Sequence, residues 1–160
     1  MSDEAGAGAS SVEIADEGPV IVATVRLPGS SPEEALLAFT DAAILARWWR
    51  GELTADLVPG GEYSVGFPAI PARLAGQVLS YEPGRSLELS WAWEGEDEPP
   101  STVRVTVHRE VSDGSIVLTI THGPHEDDEP GRTAHQLHWE GWEYFLPRLP
   151  AAVAWSWSGS

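Results

Sequence analysis

Residues 116–146 read IVLTITHGPHEDDEPGRTAHQLHWEGWEYFL, and the change of rhythm inside this stretch decides the fold. Ile116, Leu118, Ile120 and His122 fall on alternate positions, the period of a strand with one face buried. After a polar loop over 123–132, His135, His138, Trp142, Phe145 or Leu146, and Leu149 recur at three- and four-residue spacing, the period of a helix with one apolar stripe. A strand therefore feeds a long C-terminal helix through the acidic run Glu126-Asp127-Asp128-Glu129. Gly141 removes a side chain beside Trp142, which predicts close approach of that helix to a sheet. Pro147 and Pro150 are awkward in a helix interior and predict a kink or an end near Leu146.

Working backwards, strand patterns fill the chain from Glu52. Val103, Val105 and Val107 alternate, and Asp113-Gly114 predicts a hairpin turn into Ile116. Leu87, Leu89, Trp91 and Trp93 share one strand face, and the acidic loop Glu94–Pro100 ends that strand. Pro83-Gly84 turns into it from Leu74–Tyr81, where Gly76 predicts a bulge or a close backbone approach. Tyr63, Val65 and Phe67 alternate after Pro59-Gly60-Gly61. Further upstream, Ile21, Ala23, Val25 and Leu27 alternate with Arg26 on the other face. Between this first strand and the rest, Ser31-Pro32-Glu33-Glu34 opens one short helix. Asp41 caps a second, which ends at Trp48-Trp49-Arg50 with Gly51 as its stop.

The order is strand, two short helices, about six antiparallel strands and one long helix. Its simplest packing is α+β: a curved antiparallel sheet of about six to seven strands around the C-terminal helix. Residues 1–18, rich in Ala, Gly, Ser, Asp and Glu, read as a disordered acidic tail. Residues 19–154 read as a single domain and 155–160 as a C-terminal tail.

The composition excludes several classes of function. The formal charge is −16, from 25 acids against nine arginines and no lysine. Nucleic acid binding needs a basic footprint to displace counterions from phosphates, and an anionic membrane surface repels such a chain, so neither partner is expected. There is no cysteine, hence neither a disulfide framework nor a thiolate site. No run of 18 apolar residues and no leader-like N-terminus appear, which predicts a cytoplasmic protein. The charge favours a monomer and otherwise serves solubility.

Eight tryptophans in four close pairs offer either a crowded core or a cavity walled with rings. The pairs are Trp48 and Trp49, Trp91 and Trp93, Trp139 and Trp142, Trp155 and Trp157. The residues expected to line a cavity are Trp49, Tyr63, Val65, Phe67, Leu89, Trp91, Trp93, Val105, Leu118, Ile120, His122, His138, Trp142 and Phe145. Taken singly each reads equally as core; taken together they suit an apolar pocket with a few placed polar groups. Arg47, Arg73 and Arg104 offer themselves for its rim or for solvated surface.

Polar chemistry is sparse. His122, His125, His135 and His138 lie near one another in sequence beside Glu126, Asp127 and Asp128, but their spacing matches no zinc motif, so no metal is expected. No Gly-x-Ser-x-Gly elbow and no phosphate loop with its lysine exist, and no cofactor is expected. His122 could offer a ligand a hydrogen bond or be a satisfied structural histidine. Acid or base work in an apolar cavity would fall to His122, His138 or Tyr63.

Several motifs recur in an order that carries a resemblance. They are Phe39-Thr40-Asp41-Ala42-Ala43-Ile44-Leu45-Ala46-Arg47-Trp48-Trp49, then Pro59-Gly60-Gly61-Glu62-Tyr63, and Gly76-Gln77-Val78-Leu79-Ser80-Tyr81-Glu82-Pro83. Leu89-Ser90-Trp91 and His138-Trp139-Glu140-Gly141-Trp142 follow, with Leu146 and Leu149. Over residues 20 to about 150 the chain resembles the START-like (SRPBCC) superfamily, in the branch named after the activator of the heat-shock-protein ATPase. The resemblance implies a helix-grip fold whose sheet cups the C-terminal helix around a hydrophobic cavity. Members bind lipids, polyketides or hormones, act as polyketide cyclases or aromatases, or serve as co-chaperones, so the fold leaves the activity open. The leading expectation is a non-catalytic binding protein for an apolar, polyketide-like molecule. Lysine-free, Ala/Gly/Arg-rich usage is that of a high-GC bacterium, where this family includes enediyne self-resistance proteins. Such proteins are cleaved at a glycine Cα in place of DNA. By that resemblance Gly66, Gly76, Gly123 and Gly141 are the candidate sacrificial residues.

Overall fold

The computed structural model describes residues 10–28, 30–68, 72–94, 101–124 and 128–158. Eight strands form one antiparallel sheet: β1 (Ser11–Glu17), β2 (Val20–Leu27), β3 (Glu52–Ala55), β4 (Glu62–Phe67), β5 (Ala72–Glu82), β6 (Ser86–Trp93), β7 (Ser101–Arg109) and β8 (Ile116–His122). Their order is β1-β2-β8-β7-β6-β5-β4-β3, so the curved sheet stays open, with β1 and β3 as its edges. The expected α+β helix-grip architecture is the observed one.

The alternating residues are the ones that go inside. Ile21, Ala23, Val25 and Leu27 of β2 are buried while their neighbours are half-exposed. Leu87, Leu89 and Trp91 of β6, Val103 and Val105 of β7, and Leu118 and Ile120 of β8 continue that layer. In β5 the pairing register shifts between Val78 and Ser80, and a Cβ on Gly76 would overlap the Ser90 carbonyl oxygen. Both the bulge and the close approach are therefore present in this strand.

Helix α1 (Pro32–Thr40) opens with a complete capping box. Glu34 N–H donates to Ser31 Oγ at 3.1 Å, and Ser31 N–H donates to Glu34 Oε1 at 2.9 Å. Asp41 caps α2 (Ala42–Trp49) by accepting from Ala43 and Ile44 N–H at 2.9 and 3.2 Å. The left-handed residue that stops α2 is Arg50 (φ 62°), not Gly51. Gly51 is needed for another reason: a Cβ there would overlap Val65 Cγ1, so it lets the chain pass tightly over β4.

Residues 11–17 are not a disordered tail: Val12 and Ile14 pack against the core, and β1 pairs with β2 from Ser11↔Arg26 to Glu17↔Val20. Gly18 at φ 71° and Pro19 make the tight turn between them, a chemistry hidden by the acidic composition. This strand raises the sheet to eight. The long C-terminal helix does break where the prolines predict. Helix α3 (Glu129–Phe145) ends, Leu146–Arg148 forms a 3₁₀ turn, and a further helix α4 (Leu149–Ser158) follows. Pro150 suits the first turn of α4 because its missing N–H would have no helical partner there. Residues 155–158 thus continue a helix, although the side chains of Trp155 and Trp157 lie outside the described part.

Leu146, Leu149, Ala152 and Val153 are buried and anchor the C-terminal end beneath α1 and α2. Along α3 the only large side chain buried among the described residues is Trp142, with Trp139 and Phe145 partly so. Leu137 and Tyr144 stay exposed.

Candidate functional site

Three elements each bring one indole to the same place: Trp49 from the last turn of α2, Trp91 from β6 and Trp142 from α3. Trp49 stacks on Trp91 with centroids 5.1 Å apart and planes at 14°. Trp142 lies tilted against both, at 5.8 Å from Trp49 and 5.5 Å from Trp91. Trp48 stacks on the other side of Trp49 at 5.2 Å and meets Phe39 edge-on at 5.2 Å. These separations are those of favourable ring pairs, each contributing on the order of 1 kcal/mol beyond burial.

Two of the buried indole N–H groups are anchored. Trp48 Nε1–H donates to the Ala38 carbonyl at 2.8 Å, and Trp142 Nε1–H donates to His122 Nδ1 at 2.9 Å. An indole N–H can only donate, so His122 Nδ1 must present its lone pair. The neutral ring then carries its proton on Nε2, which donates to Ser101 Oγ at 2.8 Å; the Ser101 hydroxyl donates onward to the Trp91 carbonyl at 3.4 Å. His122 is fully buried, and both its ring nitrogens are engaged by protein groups. It ties β8 and β7 to α3, and the structural reading of this histidine is the one observed. The His138 ring lies over it at 4.4 Å. Trp91 Nε1 differs: it is buried and has no hydrogen-bond partner among the described residues.

Beside this cluster is a pocket of about 60 Å³, lined by Trp49, Trp91, Leu137, His138, Gly141, Trp142 and Phe145. Exposed Leu137 sits at its mouth. Of the fourteen residues expected around a cavity, the pocket gathers Trp49, Trp91, His138, Trp142 and Phe145. Val65, Phe67, Leu89, Val105, Leu118 and Ile120 are packed into the core instead. Tyr63 is buried with its hydroxyl donating to the Phe39 carbonyl at 2.6 Å, and desolvation holds its pKa far above the ordinary phenol value. The side chain of Trp93 lies outside the described part. The crowded core and the lined pocket are therefore both present, side by side.

The glycines separate by geometry. A Cβ on Gly66 would lie 3.5 Å from Arg73 Nη1, on the outer face of β4. Gly76 is pressed against the Ser90 carbonyl, and Gly123, at φ 134°, donates its N–H to the Thr102 carbonyl at 2.9 Å. Gly141 alone of the four lines the pocket. A Cβ there would meet nothing within 4 Å, so this glycine does not serve close helix–sheet contact, as its place beside Trp142 had suggested. It faces open space.

Leu137 escaped the sequence reading, although 137, 141 and 145 form a four-residue stripe adjoining the His138–Trp142 face. Ser101, the partner of His122, gave no signal, because its role depends on β7 lying beside β8. Arg73 serves the outer surface, with Glu62 at 3.4 Å, Glu94 at 3.6 Å and Ser64 Oγ at 2.8 Å. Neither Arg47 nor Arg104 lines the pocket. Among the described residues no group of three or more His, Asp or Glu stands ready for a metal, and His125, Glu126 and Asp127 lie outside them. No helix among them is long and apolar enough to cross a membrane.

Comparison with known proteins agrees with this architecture. MLL2253 from Mesorhizobium loti superposes with a TM-score of 0.70 at 19% identity, covering 84% of this chain and 96% of its own. CalU16 from Micromonospora echinospora gives 0.68 at 24% identity, over 92% of this chain and 76% of its own. DynU16, a protein in the dynemicin biosynthetic locus, gives 0.70 at 25% identity over 86% of this chain, but the match spans only 48% of DynU16. No curated protein matches. The family model described as Activator of Hsp90 ATPase homolog 1-like protein matches residues 30–154, from the cap of α1 into α4, and the chain belongs to that family.

Proposed function

We propose that this protein binds an apolar, aromatic, polyketide-like small molecule in the pocket between α3 and the sheet, and that the molecule is an enediyne held away from DNA. The observation that carries this reading is the convergence of Trp49, Trp91 and Trp142 around an opening that also exposes the glycine Cα of residue 141. Apolar walls with a few polar groups are what small-molecule sites usually offer. The likeness to DynU16, from the dynemicin biosynthetic locus, supports an enediyne over a lipid.

Size sets a condition. The pocket measures about 60 Å³, whereas an apolar cavity that accepts benzene measures roughly 150 Å³. A ligand must therefore enter with one edge past Leu137, or lift α3, which Trp142 holds chiefly by its own burial and its bond to His122. A ligand ring that replaces the Trp142 contacts offsets that cost, since both bury similar aromatic area.

Gly141 is the residue this reading assigns to sacrifice. A carbon radical of the activated drug takes the Cα hydrogen, forming a C–H bond on the drug and leaving a Cα radical stabilised by the flanking amides. Dioxygen adds to that radical, and the backbone breaks there. Mass spectrometry after incubation with a thiol-activated enediyne in air is expected to show fragments ending at residue 141. Intact protein, or cuts scattered over the chain, would refute this role.

A cyclase remains the second reading, and one observation favours a single residue for it. Tyr63 and His122 do not line the pocket, and His138 is the titratable side chain that does. Turnover of a polyketide that is lost in His138→Gln would establish it. Stimulation of a heat-shock ATPase by the purified chain would instead favour the co-chaperone role for which the family is named.

A further inference from the structure

The Trp91 indole is 3% exposed, and its Nε1–H is buried without a partner among the described residues. The neighbouring indoles show that this sheet and these helices readily supply acceptors: Ala38 carbonyl for Trp48, His122 Nδ1 for Trp142. His122 cannot serve Trp91 as well, because its Nδ1 lone pair is taken and its Nε2 faces Ser101. A buried donor left unsatisfied is costly, and such groups in native proteins generally have a reason. Trp91 is also a wall of the pocket.

From these facts we infer that the pocket selects a flat aromatic ligand bearing a carbonyl-type oxygen, which accepts a hydrogen bond from Trp91 Nε1–H while its ring packs among Trp49, Trp142 and Phe145. The inference deepens the binding reading and rests on it. It adds a class of ligand, aryl ketones and quinone-like rings, and a residue that discriminates for them. Bare aromatic hydrocarbons of the same shape leave the indole N–H unsatisfied. Only the ketone relieves the protein's own unsatisfied donor, and that difference discriminates against analogues that lack the matching group.

Acetophenone and α-methylstyrene test this, because they share a shape and differ in C=O against C=CH₂. Both are titrated into ¹⁵N-labelled protein while the assigned indole N–H resonances are followed. Acetophenone is expected to move the Trp91 Nε1–H signal downfield, and α-methylstyrene is not. The affinity ratio of acetophenone to α-methylstyrene is expected to fall about tenfold in Trp91→Phe, the size of one hydrogen bond to a buried donor. The native-protein resonance decides the matter even if that variant folds poorly. If both probes bind and neither the Trp91 signal nor the ratio responds, the acceptor inference is overturned and the pocket stands. If neither binds up to its solubility, the pocket reading falls as well.

Discussion

Replacing Gly141 by alanine tests the geometry of the pocket through the sign of a stability change. Gly141 lies inside α3, four residues before its end at Phe145. Glycine there costs the helix about 1 kcal/mol relative to alanine, from the backbone freedom lost on folding. The added methyl meets no atom within 4 Å, so no overlap opposes that gain. Gly141→Ala is expected to stabilise the protein by about 0.5–1 kcal/mol in urea unfolding, or to raise Tm by roughly 1–4 °C for a domain of this size. If Gly141 instead held the helix tightly against the sheet, the methyl would be forced into packed atoms and destabilise by about 1–3 kcal/mol. The same methyl projects where the pocket lies, so affinity for aromatic ligands should fall while stability rises. A destabilised variant would refute the assignment of Gly141 to an open wall. A stabilised variant with undiminished ligand affinity would place the ligand elsewhere.

Other substitutions follow the same logic. His122→Phe keeps a ring of similar size but strips the acceptor from Trp142 Nε1–H, and should destabilise by about 1–3 kcal/mol in urea; a change within about 0.5 kcal/mol would mean that the bond contributes little. Tyr63 has a folded pKa raised above its unfolded value, so its contribution is complete below about pH 10 and is lost as pH rises beyond it. Absorbance at 295 nm should accordingly show one of the three tyrosines ionising only with unfolding, whereas ionisation of Tyr63 in the still-folded protein would contradict its burial. Removing residues 1–17 should lower stability by about 1–3 kcal/mol, since half-buried Val12 and Ile14 and a full ladder on β2 go with them; a neutral truncation would restore the view of that segment as a tail.

Much of the fold was legible because its signals are local. The alternation of Ile21 to Leu27, the helix start at Ser31-Pro32-Glu33-Glu34 and the Pro147 break each depend on a few adjacent residues, and each is found where its chemistry places it. β1 was hidden because its acids gave it the composition of a tail, while Val12, Ile14 and the Gly18-Pro19 turn were too few to outweigh them. The stop of α2 shows the same limit: Gly51 looked like the left-handed residue, but the need for no side chain against Val65 placed it there. The site was half legible. Aromatic pairs on a strand face and a helix face pointed to a shared interior, yet only packing decides which rings fill it and which border an opening. That is why Leu89 and Ile120 are core while Trp91 and Phe145 edge the pocket. The engagement of His122 needed three elements, β7, β8 and α3, to come together.

That a ligand enters the ring pocket is tested on the indoles that wall it. Dynemicin, the compound whose locus holds the related DynU16, is the most direct ligand with which to probe it. Titrated without activation into ¹⁵N-labelled protein, it should shift the indole N–H signals of Trp49, Trp91 and Trp142 together. The Trp48 signal, fixed to the Ala38 carbonyl outside the pocket, should hardly move. Shifts confined to other parts of the chain, or none at saturating ligand, would contradict it.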